Sequence, residues 1–400
     1  MRKLRRATRA LALSLSLSLS LSLSLTHKRP REHKCALTAQ RLESSPSHSL
    51  LALAMTTAWN RPSTSEYIRS RLSLAIKDTD LTPLGLDKVV GKVRDVYSSP
   101  TDDYVVLVTT DRISAFDRIL AFVPCKGQVL SEISAWWFSK TSDIVPNHVL
   151  ATPDPNVVIC KKCTVFPIEF VVRGYITGTT STSMWTNYAK GVRDYCGLRL
   201  PEGLVQNQQL EKPVVTPTTK EVEHDRLISP ADIVSEGWMS KEDYDYCASK
   251  ALELFQRGQE IASRHGLILV DTKYEFGRDS TGTILIVDEI HTPDCSRYWV
   301  TETYAEKFAS GKSPESIDKD VLRRWYNEHC DPYKDAVLPT APEELIITVA
   351  TRYIELFERI TGELFKLDCA ETCPTDRIYA NVASWIASKK FPHEKTHINP

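Results

Sequence analysis

The sequence predicts an α+β protein, and three observations carry that prediction. Strand-like and helix-like runs come in separate blocks rather than in strict alternation, which favours mixed packing over a doubly wound sheet. Two pairs of apolar, β-prone runs, within residues 88–110 and 267–290, are joined by turn-forming segments and read as hairpins. Long amphipathic stretches over 241–264 and 342–361 supply helices able to cover a sheet.

Each element has a local reason. The runs Lys88 to Tyr97 and Tyr104 to Thr110 flank a Ser-Ser-Pro-Thr-Asp-Asp turn. Residues 127–145 space Leu130, Ile133, Trp136 or Trp137, and Ile144 at helical intervals. In 167–176, Ile168, Phe170 and Val172 alternate with Glu169, Val171 and Arg173, a strand that sets Glu169 and Arg173 on one face. Tyr244, Cys247, Ala251, Phe255 and Ile261 mark a helix over 241–264 that Gly266 terminates. Strands over 267–276 and 283–290 follow, and Ile346, Val349, Tyr353, Phe357 and Ile360 line the helix over 342–361.

With 42% apolar and 25% charged residues in 400, the chain can bury a sizeable core. Its net charge of -1 hides an asymmetry, because the first 34 residues hold nine Lys/Arg and one Glu, leaving 41 basic against 50 acidic residues. An acidic folded part argues against a nucleic-acid-coating surface. The ten cysteines are scattered, and Cys160 and Cys163 lack a second pair at zinc-ligand spacing, so they read as buried thiols in a reducing compartment. Residues 1–56 begin MRKLRRATRA, run into a Leu-Ser alternation and have no acidic residue before Glu32, the composition of an organelle transit peptide. A secretory signal is the rival, but Ser at every second position is too polar for its apolar core. No later run is long enough to span a bilayer. The expected division is a transit peptide over 1–56, an N-terminal lobe over 57–165, a C-terminal lobe over 166–365 and an extension over 366–400.

Four segments carry chemistry. In the hairpin LILVDTKYEFGRDSTGTILIVDEI, Asp271, Lys273 and Glu275 share one face, and a two-residue turn at Thr281-Gly282 sets Glu275 opposite Asp288. Facing carboxylates repel, and a hard cation such as Mg²⁺, shared with nucleotide phosphates, removes the repulsion. A solvated face with counter-ions is the alternative. In GKVRDVY, Gly91 lets the backbone approach a triphosphate and Lys92 supplies a point charge, although a plain strand reads the same way. In VVRGYITGT, Arg173, Thr179 and neighbouring amides suit a phosphate, with an Arg173 to Glu169 salt bridge as the rival. TPTTKEVEHD gathers Lys220 and Asp225 in a segment that reads as a functional loop.

Read together, these segments resemble the SAICAR synthetase family from about Val90 to Arg324. The residues that carry the resemblance are GKVRDVY, TTDRISAFD, EFVVRGYITGT, TPTTKEVEHD, DTKYEFG, VDEIHTPDCSR and IDKDVLRRW, in the family's order. The resemblance implies a two-lobed SAICAR synthase-like fold with a nucleotide cleft of kinase and ATP-grasp style. It also implies ATP- and Mg²⁺-dependent ligation of carboxyaminoimidazole ribotide (CAIR) to L-aspartate in purine biosynthesis, in the chloroplast stroma after import. Its partners are then small molecules, without nucleic acid or membrane, and a homo-oligomer is allowed.

By the same resemblance, Gly91, Lys92, Arg94, Asp271 and Lys273 bind ATP, and Lys92, Lys220, Asp225 and Lys273 serve catalysis. Glu275 and Asp288 hold Mg²⁺. Arg173, Thr179 and Arg297 grip the ribotide phosphate, while Asp111, Ser114, Asp117 and Arg323 lie near the incoming aspartate. A related carboxylate-amine ligase or kinase acting on another phosphorylated acid is the alternative.

Overall fold

The computed structural model describes residues 62–220, 226–317, 319–367 and 373–390. The chain divides into Met1–Met55 and Thr56–Pro400, and all described residues belong to the second unit. The transit peptide expected over 1–56 lies outside the described residues.

In chain order the strands are β1 Asp87–Val90, β2 Arg94–Ser98, β3 Tyr104–Thr109, β4 Arg112–Ala115, β5 Arg118–Phe122, β6 Val149–Asp154, β7 Val157–Lys161, β8 Thr164–Tyr175, β9 Asp194–Tyr195, β10 Leu198–Arg199, β11 Gln209–Val215, β12 Thr218–Thr219, β13 Leu267–Arg278, β14 Ile284–Val287 and β15 Ser296–Val300. The α-helices are α1 Pro62–Arg71, α2 Lys126–Thr141, α3 Met184–Ala189, α4 Pro230–Ser235, α5 Lys241–Arg264, α6 Thr301–Ala309, α7 Asp320–His329, α8 Glu343–Thr361 and α9 Pro374–Lys390.

One sheet runs β1-β2-β3-β7-β6 and a second runs β11-β8-β13-β14, with β12 on β8 and β15 on β13. Pairings between these strands are antiparallel. The fold is therefore α+β, as the block order of strands and helices predicts. The long helix α5 starts on Ser240, whose side chain accepts from the Asp243 amide, and buries Tyr244, Cys247, Ala251, Leu254, Phe255 and Ala262 at helical spacing. Its Tyr244 ring stacks 5.5 Å from Phe170 of β8, which meets Phe276 of β13 edge to face at 5.3 Å.

Helix α9, within the C-terminal extension, covers the first sheet. Ile378 and Val382 are fully buried in one apolar cluster with Tyr97, Tyr104, Val106 and Ile159. Arg377 Nε donates to Asp154 Oδ2 at 3.0 Å, and Trp385 meets Tyr104 edge to face at 5.1 Å.

Three sequence expectations change. The run Lys88 to Tyr97 is two strands, because the Gly91 amide bonds back to the Arg94 carbonyl at 2.8 Å and folds a tight turn around Lys92. The second hairpin pairs Glu275 with Val287 rather than with Asp288. Its connection is longer than two residues, since Asp279 Oδ1 accepts the amides of Thr281 and Thr283, both at 3.0 Å, and stabilises a wider loop. Finally, Thr218 and Thr219 are not loop but a short strand paired with Glu169 and Ile168 of β8.

Candidate active site

The second sheet brings a row of charges to one face. Lys273 on β13 donates to Glu275 Oε1 at 2.5 Å and to Glu169 Oε1 at 3.2 Å, and its Nζ lies 3.6 Å from Asp288 Oδ2. Lys220 donates to the other oxygen of Glu275, and Thr218 holds the second oxygen of Glu169 at 3.1 Å. Burial disfavours the Lys273 charge, yet Glu275, then Glu169 and Asp288, raise its pKa well above the ordinary lysine value.

Asp288 joins this cluster by an unexpected route. In the observed register it would follow Val287 onto the opposite face, but its backbone turns left-handed at φ 67 just after β14 ends. The carboxylate therefore meets both Lys273 and Arg94, whose other amino group holds Glu289 at 3.0 Å. Burial opposes the Asp288 charge, but Arg94 and then Lys273 outweigh it and hold the carboxyl down to about 2.

Beside this row, Asp271 accepts from Arg297 and, at 3.5 Å, from Arg173, while Arg173 Nε donates to Thr216 at 2.9 Å. The structure thus groups Asp271 with the residues expected to grip the ribotide phosphate, not with those expected on ATP. Nor does Arg173 pair with Glu169, whose oxygens are held by Lys273 and Thr218. Thr179 and Arg297 share a cleft with Thr177, Asn207 and Arg324. Gly178 sits there at φ 101, and a Cβ on it would fall 2.4 Å from that of Ser183, so only glycine fits the turn.

A larger cavity, about 550 Å³, is lined by Lys92, Ser114, Asp117, Thr180, Lys319, Arg323 and Tyr333, among others. Lys92 Nζ lies 2.6 Å from Asp117 Oδ1. Arg323 Nε is buried without a hydrogen-bond partner among the described residues. Asp111 belongs to the scaffold rather than to this wall. One of its oxygens accepts the Ile76 amide at 2.8 Å and the other the Gly127 amide at the start of α2 at 2.9 Å, with burial pushing the carboxyl up to about 6. The expectation that Asp111 meets substrate is corrected accordingly. Asp225 lies outside the described residues.

Sequence reasoning passed over Lys126, Glu289, Asp294 and Lys319. Lys126, fully buried, donates to Asp294 Oδ2 at 2.7 Å, and Tyr353 donates to Oδ1 at the same distance. Burial opposes the Asp294 charge, but Lys126 and Lys319 hold the carboxyl far below its usual range. Burial in turn lowers Lys319 to about 8 despite the nearby Asp294. Glu289 and Asp294 stand inside the VDEIHTPDCSR segment, so the signal lay there as two further acids beside the expected metal ligand.

The SAICAR synthetase family model matches residues 88–340, more than half of the chain. The chain belongs to the SAICAR synthetase family. It is 61% identical to the phosphoribosylaminoimidazole-succinocarboxamide synthase of Legionella pneumophila (strain Paris) over 315 residues, 79% of this chain and 100% of that protein. It is 54% identical to the Arabidopsis thaliana protein named phosphoribosylaminoimidazole-succinocarboxamide synthase, chloroplastic, over 324 residues, 80% of this chain and 78% of that one. Among solved structures, the SAICAR synthase of Saccharomyces cerevisiae complexed with SAICAR aligns with a TM-score of 0.62 at 32% identity, covering 73% of this chain and all of that one. A type-2 SAICAR synthetase in complex with ADP aligns with a TM-score of 0.54 at 25% identity, covering 70% of this chain and all of that one. The site residues fall within the SAICAR synthetase match, whereas α8 and α9 lie beyond it.

Proposed function

We propose that this chain is an ATP-dependent ligase that condenses CAIR with L-aspartate to give SAICAR, ADP and phosphate in purine biosynthesis, and that the charged row on the second sheet is its phosphoryl-transfer centre. The observation that carries the assignment of roles is the meeting of Glu275 and Asp288 on Lys273, flanked by Lys220 and Arg94. The ADP and SAICAR complexes of the family relatives support the substrate reading.

A carboxylate does not acylate an amine unaided. Transfer of the γ-phosphoryl group to the CAIR carboxylate breaks the bond to ADP and makes an acyl phosphate. The aspartate nitrogen then attacks the acyl carbon, phosphate leaves and the nitrogen gives up its proton. Both steps reward positioning and charge neutralisation, which Lys92, Lys220 and Lys273 supply. Glu275 and a firmly ionised Asp288 present hard oxygen donors, so the residues fit Mg²⁺. Bound there with nucleotide, the ion would neutralise phosphate charge. Arg173, Thr179 and Arg297 hold the ribotide phosphate, with Asp271 orienting both guanidinium groups. Arg323 Nε, without a hydrogen-bond partner among the described residues, together with Ser114, Asp117 and Lys319, supports reading the larger cavity as the L-aspartate pocket.

The division into an N-terminal lobe over 57–165 that covers the nucleotide and a C-terminal lobe over 166–365 that bears the acids and the ribotide grip fits these roles. The basic, Ser-rich start and the chloroplastic name of the Arabidopsis relative support residence in the chloroplast stroma. The test is ADP release by the purified mature chain with ATP, Mg²⁺, CAIR and L-aspartate, each omitted in turn. Release that persists without L-aspartate or CAIR would contradict the ligase reading.

A further inference from the structure

The turn that joins β4 to β5 is made by Phe116 and Asp117, both left-handed at φ 55 and 58. An aromatic residue rarely adopts that backbone and keeps it only where its surroundings dictate it. The Lys92 to Asp117 ion pair is a weak constraint, because the two side chains are 62% and 49% exposed. Phe116 also packs against the main apolar core, and a further constraint comes from residues 330–338, far along the chain. Arg118 donates to the carbonyls of Asp335 and, at 3.1 Å, Ala336, which fastens this segment to the hairpin. Tyr333 then meets the Phe116 ring edge to face, with centroids 5.3 Å apart. Tyr333 is 55% exposed, unusual for a large aromatic side chain, and lines the cavity alongside Asp117 and Arg323.

We propose that Tyr333 is a substrate-positioning residue: its ring pins Phe116, and through Phe116 the strained turn that aims Asp117 into the cavity. Which substrate feels the effect rests on the reading of that cavity as the L-aspartate pocket. The pinning itself does not.

The test is steady-state kinetics of the full mature chain, with each substrate varied in turn, for Asp117→Asn, Tyr333→Phe, Tyr333→Ala and the Asp117→Asn/Tyr333→Ala double variant. Tyr333→Ala should raise the KM of the one substrate whose KM Asp117→Asn also raises, by roughly five- to tenfold, leaving the other two within about twofold. Tyr333→Phe should behave as wild type, since the contact needs the ring and not the hydroxyl. The double variant should be no worse than Asp117→Asn alone, because Tyr333 acts through that residue. If the shared substrate is L-aspartate, the pocket assignment gains support as well. If it is CAIR or ATP, that assignment fails while the pinning role stands. A uniform rise in all three KM values, multiplicative losses in the double variant, or a Tyr333→Phe defect equal to that of Tyr333→Ala would each overturn the proposal.

Discussion

Asp288 Oδ2 lies 3.6 Å from the Lys273 ammonium because Asp288 leaves the strand register with a left-handed backbone. Two carboxylates on neighbouring strands thus meet at one cation without facing each other in the ladder. Asp288→Asn keeps the shape and removes the charge, so turnover should fall by about 100-fold or more while the melting temperature stays within a few degrees. ADP release paired with a thermal melt checks both halves. Because the folded-state pKa of Asp288 is depressed to about 2, its ionic contribution is present above the unfolded value and is lost only as pH falls from there toward 2. An acid limb near neutrality in the activity profile must therefore come from another group.

Lys273 is the common partner of Glu169, Glu275 and Asp288. Lys273→Met leaves these acids crowded with one fewer cation and should destabilise the chain by about 3–5 kcal/mol in urea titrations. Magnesium nucleotide should restore part of that loss, since ligand binding favours the folded state. A variant as stable as wild type would show that the ammonium is not holding the acids together.

Arg297→Ala removes a guanidinium from the cleft shared with Thr179 and, among the described residues, leaves Asp271 paired with Arg173. The KM for CAIR should rise at least tenfold, with the KM for L-aspartate changed little, in initial-rate measurements. Equal changes in both would place the ribotide phosphate elsewhere.

Lys319, lowered to about 8 chiefly by burial, carries its charge below that pH and loses it above. If its ammonium helps hold a substrate carboxylate, the KM for L-aspartate should climb as pH rises through about 8. Lys319→Arg, charged throughout that range, should flatten the climb.

Much of this site was legible because strand periodicity is local. Asp271, Lys273 and Glu275 were expected on one face from alternation alone, and the ladder through Asp271, Lys273 and Glu275 on β8 agrees. The meeting of Glu275 and Asp288 was also expected, but through a ladder pairing that does not exist. A wider loop at Asp279 shifts the register by one, and the left-handed Asp288 undoes the shift. Backbone departures of that kind leave little mark on a hydrophobic pattern. The Lys126 to Asp294 pair joins residues 168 apart and depends on helix α2 meeting the far end of the second hairpin. An acid in a turn looks the same in a sequence whether it faces open space or, as Asp111 does, accepts two buried amides.

Ile378 is fully buried among residues of the first sheet. Ile378→Ala should cost about 2–4 kcal/mol, measured by chemical denaturation, and truncation before Pro374 should cost more.

The position of α9 also bears on how the chain acquires its shape. The strands beside the Gly91 turn are among the first folded elements to be synthesised, yet the apolar side chains that seal their outer face are among the last. That half of the enzyme stays with its valines and tyrosines uncovered until the segment that forms α9 is available to dock. A carboxy-terminal fusion or a premature stop would then be felt at a sheet distant in sequence but in direct contact with α9, the one that carries the Lys92 turn.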